Sequence, residues 1–118
     1  SPRLFLLLRG VTLQITHESC ENQLILHYSG ELDHHAARKA MDYAESLAVL
    51  YPVERYVLDL SGLTFMDSSG LAVALNLYRT LQRTGRQMVV SGCPPQPLRV
   101  FRAAGLPKII PFEEEATC

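Results

Sequence analysis

An α/β domain is what this chain of 118 residues predicts: a mixed, largely parallel sheet with an initial β-hairpin and helices covering it. Three observations carry the prediction. Two short alternating apolar runs lie close together near the N-terminus, with only a polar turn between them. Beyond them, Val/Leu-rich runs alternate with segments of helical period, the pattern of parallel strands joined by helical crossovers. Two of the strand-to-helix junctions carry aspartate, a residue that starts helices. The length suits one folding unit with its own core, read as an arm over residues 1–11 and a single domain over 12–118.

The elements follow in order. Leu4-Phe5-Leu6-Leu7-Leu8, between Arg3 and Arg9, reads as an extra edge strand or a sticky arm. It is too short for a signal peptide and lacks a small-residue cleavage site. Thr12 to Thr16 alternates, with Leu13 and Ile15 on one face, and Leu24 to Tyr28 alternates likewise; a polar turn from His17 to Gln23 makes the two a hairpin. Gly30-Glu31-Leu32-Asp33 ends the second strand, and Asp33 is placed to cap a helix from His34 to Leu50. Ala37, Ala40, Met41, Ala44, Leu47 and Ala48 form that helix's apolar stripe, and Pro52 marks its end. Arg55 to Leu60 is a central strand. Ser61 and Gly62 punctuate it before Leu63 to Met66. A helix from Ser69 to Arg83 turns Leu71, Ala74, Leu75, Tyr78 and Leu81 to the core and closes at Gly85. Val73 and Leu77 lie off this stripe, either as flanks of the core or as a patch for a partner. Gln87 to Ser91 is the next strand. Cys93-Pro94-Pro95-Gln96-Pro97 is a stiff loop before a short helix over Pro97 to Ala104, closed by Gly105. Lys108 to Phe112 reads as the last strand, with the acidic tail Glu113-Glu114-Glu115 behind it.

Bulk properties exclude several classes. A formal net charge of −1 gives no field for nucleic acid or an anionic membrane. No apolar run reaches the roughly 18 residues of a membrane span. The three cysteines, Cys20, Cys93 and Cys118, are widely spaced and lack a C-x-x-C pair. That favours a reducing compartment and argues against a disulfide framework or a zinc site.

The most informative stretch is Leu63-Thr64-Phe65-Met66-Asp67-Ser68-Ser69-Gly70-Leu71. It sets two hydroxyls at a strand-to-helix turn, near the positive end of a helix dipole, where a phosphate is tolerated and on display. Serine is also a favoured N-cap, so the turn has a purely structural reading. Against that reading, Asp67, Ser68 and Ser69 offer three capping side chains where one suffices. The turn is not the G-x-S-x-G elbow of a nucleophilic serine. Glu31, Asp33, His34 and His35 resemble a metal cluster only on paper, since adjacent helical residues point about 100° apart. Asp33 lies at a second such turn. These turns gather at one sheet edge in a parallel α/β fold, so Asp33 and Asp67 are expected to flank Ser68. Neither a Walker loop nor G-x-G-x-x-G is present. Arg79, Arg83 and Arg86 read as a solvated helix face.

Gly30-Glu31-Leu32-Asp33-His34-His35, the run Leu63 to Leu71, Gln87-Met88-Val89-Val90 and Arg99 to Leu106 with Lys108-Ile109-Ile110 together resemble the anti-sigma factor antagonists of the STAS domain family, the sporulation type above all. The resemblance spans roughly residues 12 to 112, with the four blocks in order. It implies a STAS-like fold and a cytoplasmic partner-switching protein that is not an enzyme and needs no cofactor of its own. The unphosphorylated form would bind an anti-sigma factor that is also a serine kinase of the histidine-kinase-like ATPase fold, releasing the sigma factor. Phosphorylation on Ser68 would end binding, and a PP2C-type serine phosphatase would restore it. Asp33, Asp67, Ser69 and Gly70 would form the partner-binding surface, with no metal, nucleic acid or membrane involved. Two readings compete: a STAS scaffold of a stressosome, a general stress circuit or a transporter, and an enzyme built on Ser68. The chain departs from the family pattern in a longer N-terminal arm and in stopping at Cys118 without a further helix.

Overall fold

A six-stranded sheet carries the chain, its strands following one another in sequence order. The computed structural model describes residues 3–6, as backbone, and 13–116. The elements are β1 (Arg3–Leu6), β2 (Leu13–Cys20), β3 (Gln23–Leu32), α1 (His34–Leu50), β4 (Arg55–Met66), α2 (Ser69–Gln82), β5 (Gln87–Ser91), α3 (Pro95–Ala103), a 3-10 turn (Leu106–Lys108) and β6 (Phe112–Glu113). The pairs β1/β2 and β2/β3 are antiparallel, and β3/β4, β4/β5 and β5/β6 are parallel.

Three successive crossovers step across the sheet in one direction, and right-handed connections of that kind put their helices on one face. The core bears this out. Leu13, Ile15, Leu24, Leu26, Tyr28, Tyr56, Leu58, Met88 and Val90 supply the sheet side of a cluster that includes Ala40, Leu47, Ala74, Leu77 and Phe101 from the helices. Alternation in each strand sends the intervening residues to the other face, where Ile25, Val57 and Val89 stand in register and are buried outside that cluster.

The edge strand, the hairpin, α1 and β5 form where the sequence places them, and Gly85 and Gly105 adopt φ of 71° and 76° after α2 and α3. Thr12 and the rest of the arm, residues 1–2 and 7–11, lie outside the described residues, as do residues 117–118 of the tail. Several expectations are corrected. Polar residues up to Cys20 belong to β2, because only Glu21 and Asn22 are needed for the turn. Gly30 does not end β3. Its φ of 98° coincides with a register shift in which β4 carries an extra residue, Thr64, between the partners of Gly30 and Glu31, so the bulge lies on β4 and β3 continues to Leu32. Likewise β4 runs through Ser61 and Gly62 without a break. On α2, Val73 and Leu77 are buried while Leu71, Leu75 and Tyr78 are half-buried, so the core-facing stripe is rotated from the predicted one. The segment after Gly105 is a 3-10 turn with a two-residue strand, since Pro107 and Pro111 lack the N–H groups a longer strand needs.

Two polar devices hold the frame. The Tyr56 hydroxyl shares its one proton between the Leu47 and Tyr51 carbonyls, 2.7 and 2.6 Å away, and Arg86 Nη1 donates to the Ala48 and Tyr51 carbonyls at 2.9 and 3.3 Å. Together they occupy the Leu47, Ala48 and Tyr51 carbonyls at the C-terminus of α1, so Arg86 is a cap and not part of a solvated face. Cys20 is disulfide-bonded, where the sequence argued against a disulfide framework, while Cys93 is free and its thiol is pushed up to about 11 by burial.

On the helix-free face, His27 sits between two carboxylates, with Nε2 2.9 Å from Glu18 and Nδ1 against Asp59. Partial burial alone lowers its pKa, but the hydrogen bonds and charge of Asp59 and Glu18 outweigh that and raise it. A raised folded-state value means the cation stabilises below the unfolded value near pH 6.5 and the contribution fades as pH rises through the folded value. The stability difference between wild type and His27→Gln should therefore be full below the unfolded value of about 6.5 and shrink as pH rises above it. Chemical denaturation on either side of that value tests this, and a flat difference would mean the imidazole is not charged in the fold.

Candidate functional site

The ends of β3 and β4 adjoin, Leu32 pairing with Met66, and each is followed by an aspartate that opens a helix. At the first turn, Asp33 is extended and its Oδ1 accepts from the N–H groups of His35 and Ala36 at 2.9 and 3.3 Å. Burial pushes its carboxyl up, yet those two N–H groups and the neighbouring His35 ring outweigh it and hold the pKa below the usual carboxylate range. Asp33 is thus the helix cap the sequence predicts. Replacing it with alanine should cost about 1 kcal/mol. A depressed folded-state pKa makes that contribution complete above the unfolded value, about pH 4, and lost as pH falls through the folded one. Melts of wild type, Asp33→Ala and Asp33→Asn between about pH 2 and 7 should converge at the acid end, with the asparagine variant closest to wild type at neutral pH.

The second turn is locked to the first. Asp67 N–H donates to the Leu32 carbonyl at 3.2 Å, and His34 Nδ1 lies 3.9 Å from Asp67 Oδ2, bridging the turns. Asp67 Oδ1 accepts from Ser69 N–H at 2.8 Å, so the acid caps α2. Ser68 occupies the N-cap position with helical φ and ψ of −64° and −17° and makes no side-chain cap bond. Its side chain is exposed. The redundancy noted in the sequence is therefore resolved: Asp67 caps, Ser69 is half-buried, and Ser68 is left with an accessible hydroxyl beside the helix start.

Gly70 belongs beneath the surface. It is buried, and a Cβ there would stand 2.4 Å from the Cγ and Sδ of Met66 and 3.3 Å from Leu32. Its place in the site is to let α2 close onto β4, beneath the surface where the partner-facing set is expected. Phe65, two residues ahead of Asp67, is 42% exposed, an apolar side chain at the surface beside the turn.

Sequence reasoning missed the part played by α3. A groove of about 580 Å³ runs between α2 and α3, lined by Ser68, Leu71, Gln96, Arg99 and Val100 among others. The Gln96 carboxamide accepts from Met66 N–H and donates to the Met66 carbonyl, both at 2.8 Å. The only signal in the chain is one amide residue set among prolines. Among the described residues no cluster of three or more His, Cys, Asp or Glu is placed to hold a metal, and no helix is long and apolar enough to cross a membrane.

The hairpin-led sheet with its helices on one face, and the Asp-Ser-Ser-Gly turn at its edge, define a STAS domain. The STAS domain model matches residues 14–116, and the chain belongs to that family. Among named relatives it is 38% identical over 102 residues to the anti-sigma F factor antagonist of Paenibacillus polymyxa, covering 86% of this chain and 87% of that one. It is 33% identical over 84 residues to the anti-sigma-B factor antagonist of Listeria monocytogenes, covering 70% and 71%. The solved structure of the Bacillus cell fate determinant SpoIIAA in its phosphorylated form superposes with a TM-score of 0.68 at 26% identity, covering 87% and 91%. Within the STAS domains the chain belongs with the anti-sigma factor antagonists, which are non-enzymatic regulatory proteins.

Proposed function

We propose that this protein is a phosphorylation-controlled partner switch acting in the cytoplasm. Its unphosphorylated form binds an anti-sigma factor that is also an ATP-dependent serine kinase of the histidine-kinase-like fold, and so frees a sigma factor. Ser68 is the phosphoacceptor, and a PP2C-type phosphatase reverses the modification. The observation that carries this reading is the Ser68 hydroxyl, exposed and free of any cap bond because Asp67 does the capping. The partner surface comprises Asp33, Asp67 and Ser69 around that hydroxyl, with Gly70 beneath it setting the approach of α2 and Phe65 as its apolar anchor. Relatives named as anti-sigma factor antagonists, and a fold neighbour solved in a phosphorylated form, support it.

The mechanism is electrostatic. A phosphate brings about −1.5 to −2 charge. The N-terminus of α2 offsets part of it, by roughly 0.3–1 kcal/mol per charge, while Asp67 opposes it. The fold tolerates the group at the surface, but a bound partner would bury it without a counter-charge. The test is intact-mass spectrometry after incubation with ATP and the anti-sigma factor kinase of the same genome. Wild type should take a single phosphate and Ser68→Ala none, while binding the kinase with wild-type affinity. Phosphate on both proteins would place the switch elsewhere, and on neither, despite a stable complex, would leave a scaffold that binds without being switched.

A further inference from the structure

We propose that Gln96 is a positioning residue for the phosphoacceptor turn, standing in for a missing strand beside Met66 and tying the seat of α3 to Ser68. Its effect on phosphate transfer rests on the reading of Ser68 given above; its effect on the turn does not.

The pairing of β4 with β5 ends at Asp59 and Ser91, while β4 itself continues to Met66. Beyond that point β4 is paired on one side only, with β3. Met66 is 0% exposed, so its outward N–H and carbonyl have no water to turn to. The Gln96 side chain presents one donor and one acceptor in a plane, the same edge that a strand residue would offer. Its two 2.8 Å bonds satisfy both groups of Met66. No other side chain of that length except glutamine does this. An ionised glutamate has no donor and would face the Met66 carbonyl with a second acceptor. The reach is fixed from the other end as well, since Gln96 sits in the first turn of α3 between Pro95 and the buried Pro97, whose rings set φ.

From Met66 the restraint passes along the chain. The next residue, Asp67, donates to Leu32 and accepts from Ser69, and between these bonds lies Ser68. The same helix that supplies Gln96 also lines the groove against Ser68 through Arg99 and Val100. The hydroxyl is thus held by a relay whose far anchor is α3, and a partner seated in that groove acts on both.

The experiment compares the full chain with Gln96→Leu and Gln96→Glu, and with Ile15→Val as a core truncation remote from the turn. Amide hydrogen exchange is read at Asp67 and Ser69, neither of which bonds to Gln96. Both Gln96 variants should lose roughly tenfold protection there, at a temperature well below their melting points, and Ile15→Val should not. With the kinase and ATP, the same variants should lose roughly tenfold in kcat at a KM within about twofold of wild type. Wild-type exchange at Asp67 and Ser69 in Gln96→Leu overturns the proposal, as does wild-type kcat. If wild type takes no phosphate, the Ser68 reading fails, and the exchange data alone decide whether Gln96 holds the turn.

Discussion

Ser68→Asp should lower affinity for the anti-sigma factor by about 100-fold or more while moving the melting temperature by no more than about 3 °C. The two halves of this result come from different parts of the site. Ser68 is exposed and its side chain carries no hydrogen bond that the fold needs, so an acid there faces water in the free protein. It also sits at the N-terminus of α2, where a negative charge is mildly favoured. In the complex the same carboxylate would be covered by the partner, next to Asp67, while the basic groups of this chain nearby, His34 at 3.9 Å from Asp67 and Arg99 in the adjoining groove, make no hydrogen bond to Ser68. A buried charge without a hydrogen-bonded counter-ion is among the costliest single changes at an interface. Isothermal titration with the unmodified anti-sigma factor, alongside a thermal melt, reads both halves. Wild-type affinity would remove the electrostatic mechanism, and a large fall in melting temperature would mean that Ser68 holds the turn together.

How much of this was legible in the chain depends on whether a residue acts through its neighbours in sequence or through its neighbours in space. Asp33 and Asp67 act locally. Each accepts from N–H groups two or three residues ahead, which is why acid followed by a helical period is enough to place a cap. The burial of α1 was equally legible, because its alanines recur at helical spacing with charged residues between them. On α2 the same periodicity misleads. Leu71, Leu75 and Tyr78 are large and apolar, and the helix has apolar residues nearly all round, so the period alone leaves its rotation open. The sheet and α1 settle that rotation by burying Val73 and Leu77.

Gly30 and Arg86 illustrate the other limit. A glycine in a strand pattern is compatible with an end or a bulge, and the choice is made by β4, whose register shifts beside it. Arg86 looks like one of three arginines on a wet surface until α1 arrives from far away in sequence, with unsatisfied carbonyls at Ala48 and Tyr51. Gln96 is the extreme case. Its partners are the main-chain atoms of Met66, so nothing about the identity of the distant residue advertises the pairing.

Gly70→Ala should destabilise the protein by about 1–3 kcal/mol, reversing the usual outcome of that exchange within a helix, which favours alanine by roughly 0.5–1 kcal/mol. The reversal comes from the close approach of α2 to β4. The added methyl would stand 2.4 Å from the Met66 Cγ and Sδ, well inside contact distance. A methionine usually yields to such pressure, since it has three rotatable bonds. Here its freedom is curtailed, because its side chain is wholly buried and its main chain is held by Leu32 on one side and Gln96 on the other. The strain then falls on the junction of β4 and α2, which is where Ser68 is displayed. Thermal melts of Gly70→Ala, and of Gly70→Ala combined with Met66→Val, separate the causes. The second substitution clears the crowding side chain and should recover part of the loss despite removing buried volume itself. A melting temperature above wild type for Gly70→Ala would mean that helix propensity outweighs contact at this site. It would also mean that the turn carrying Ser68 has more room than its packing implies.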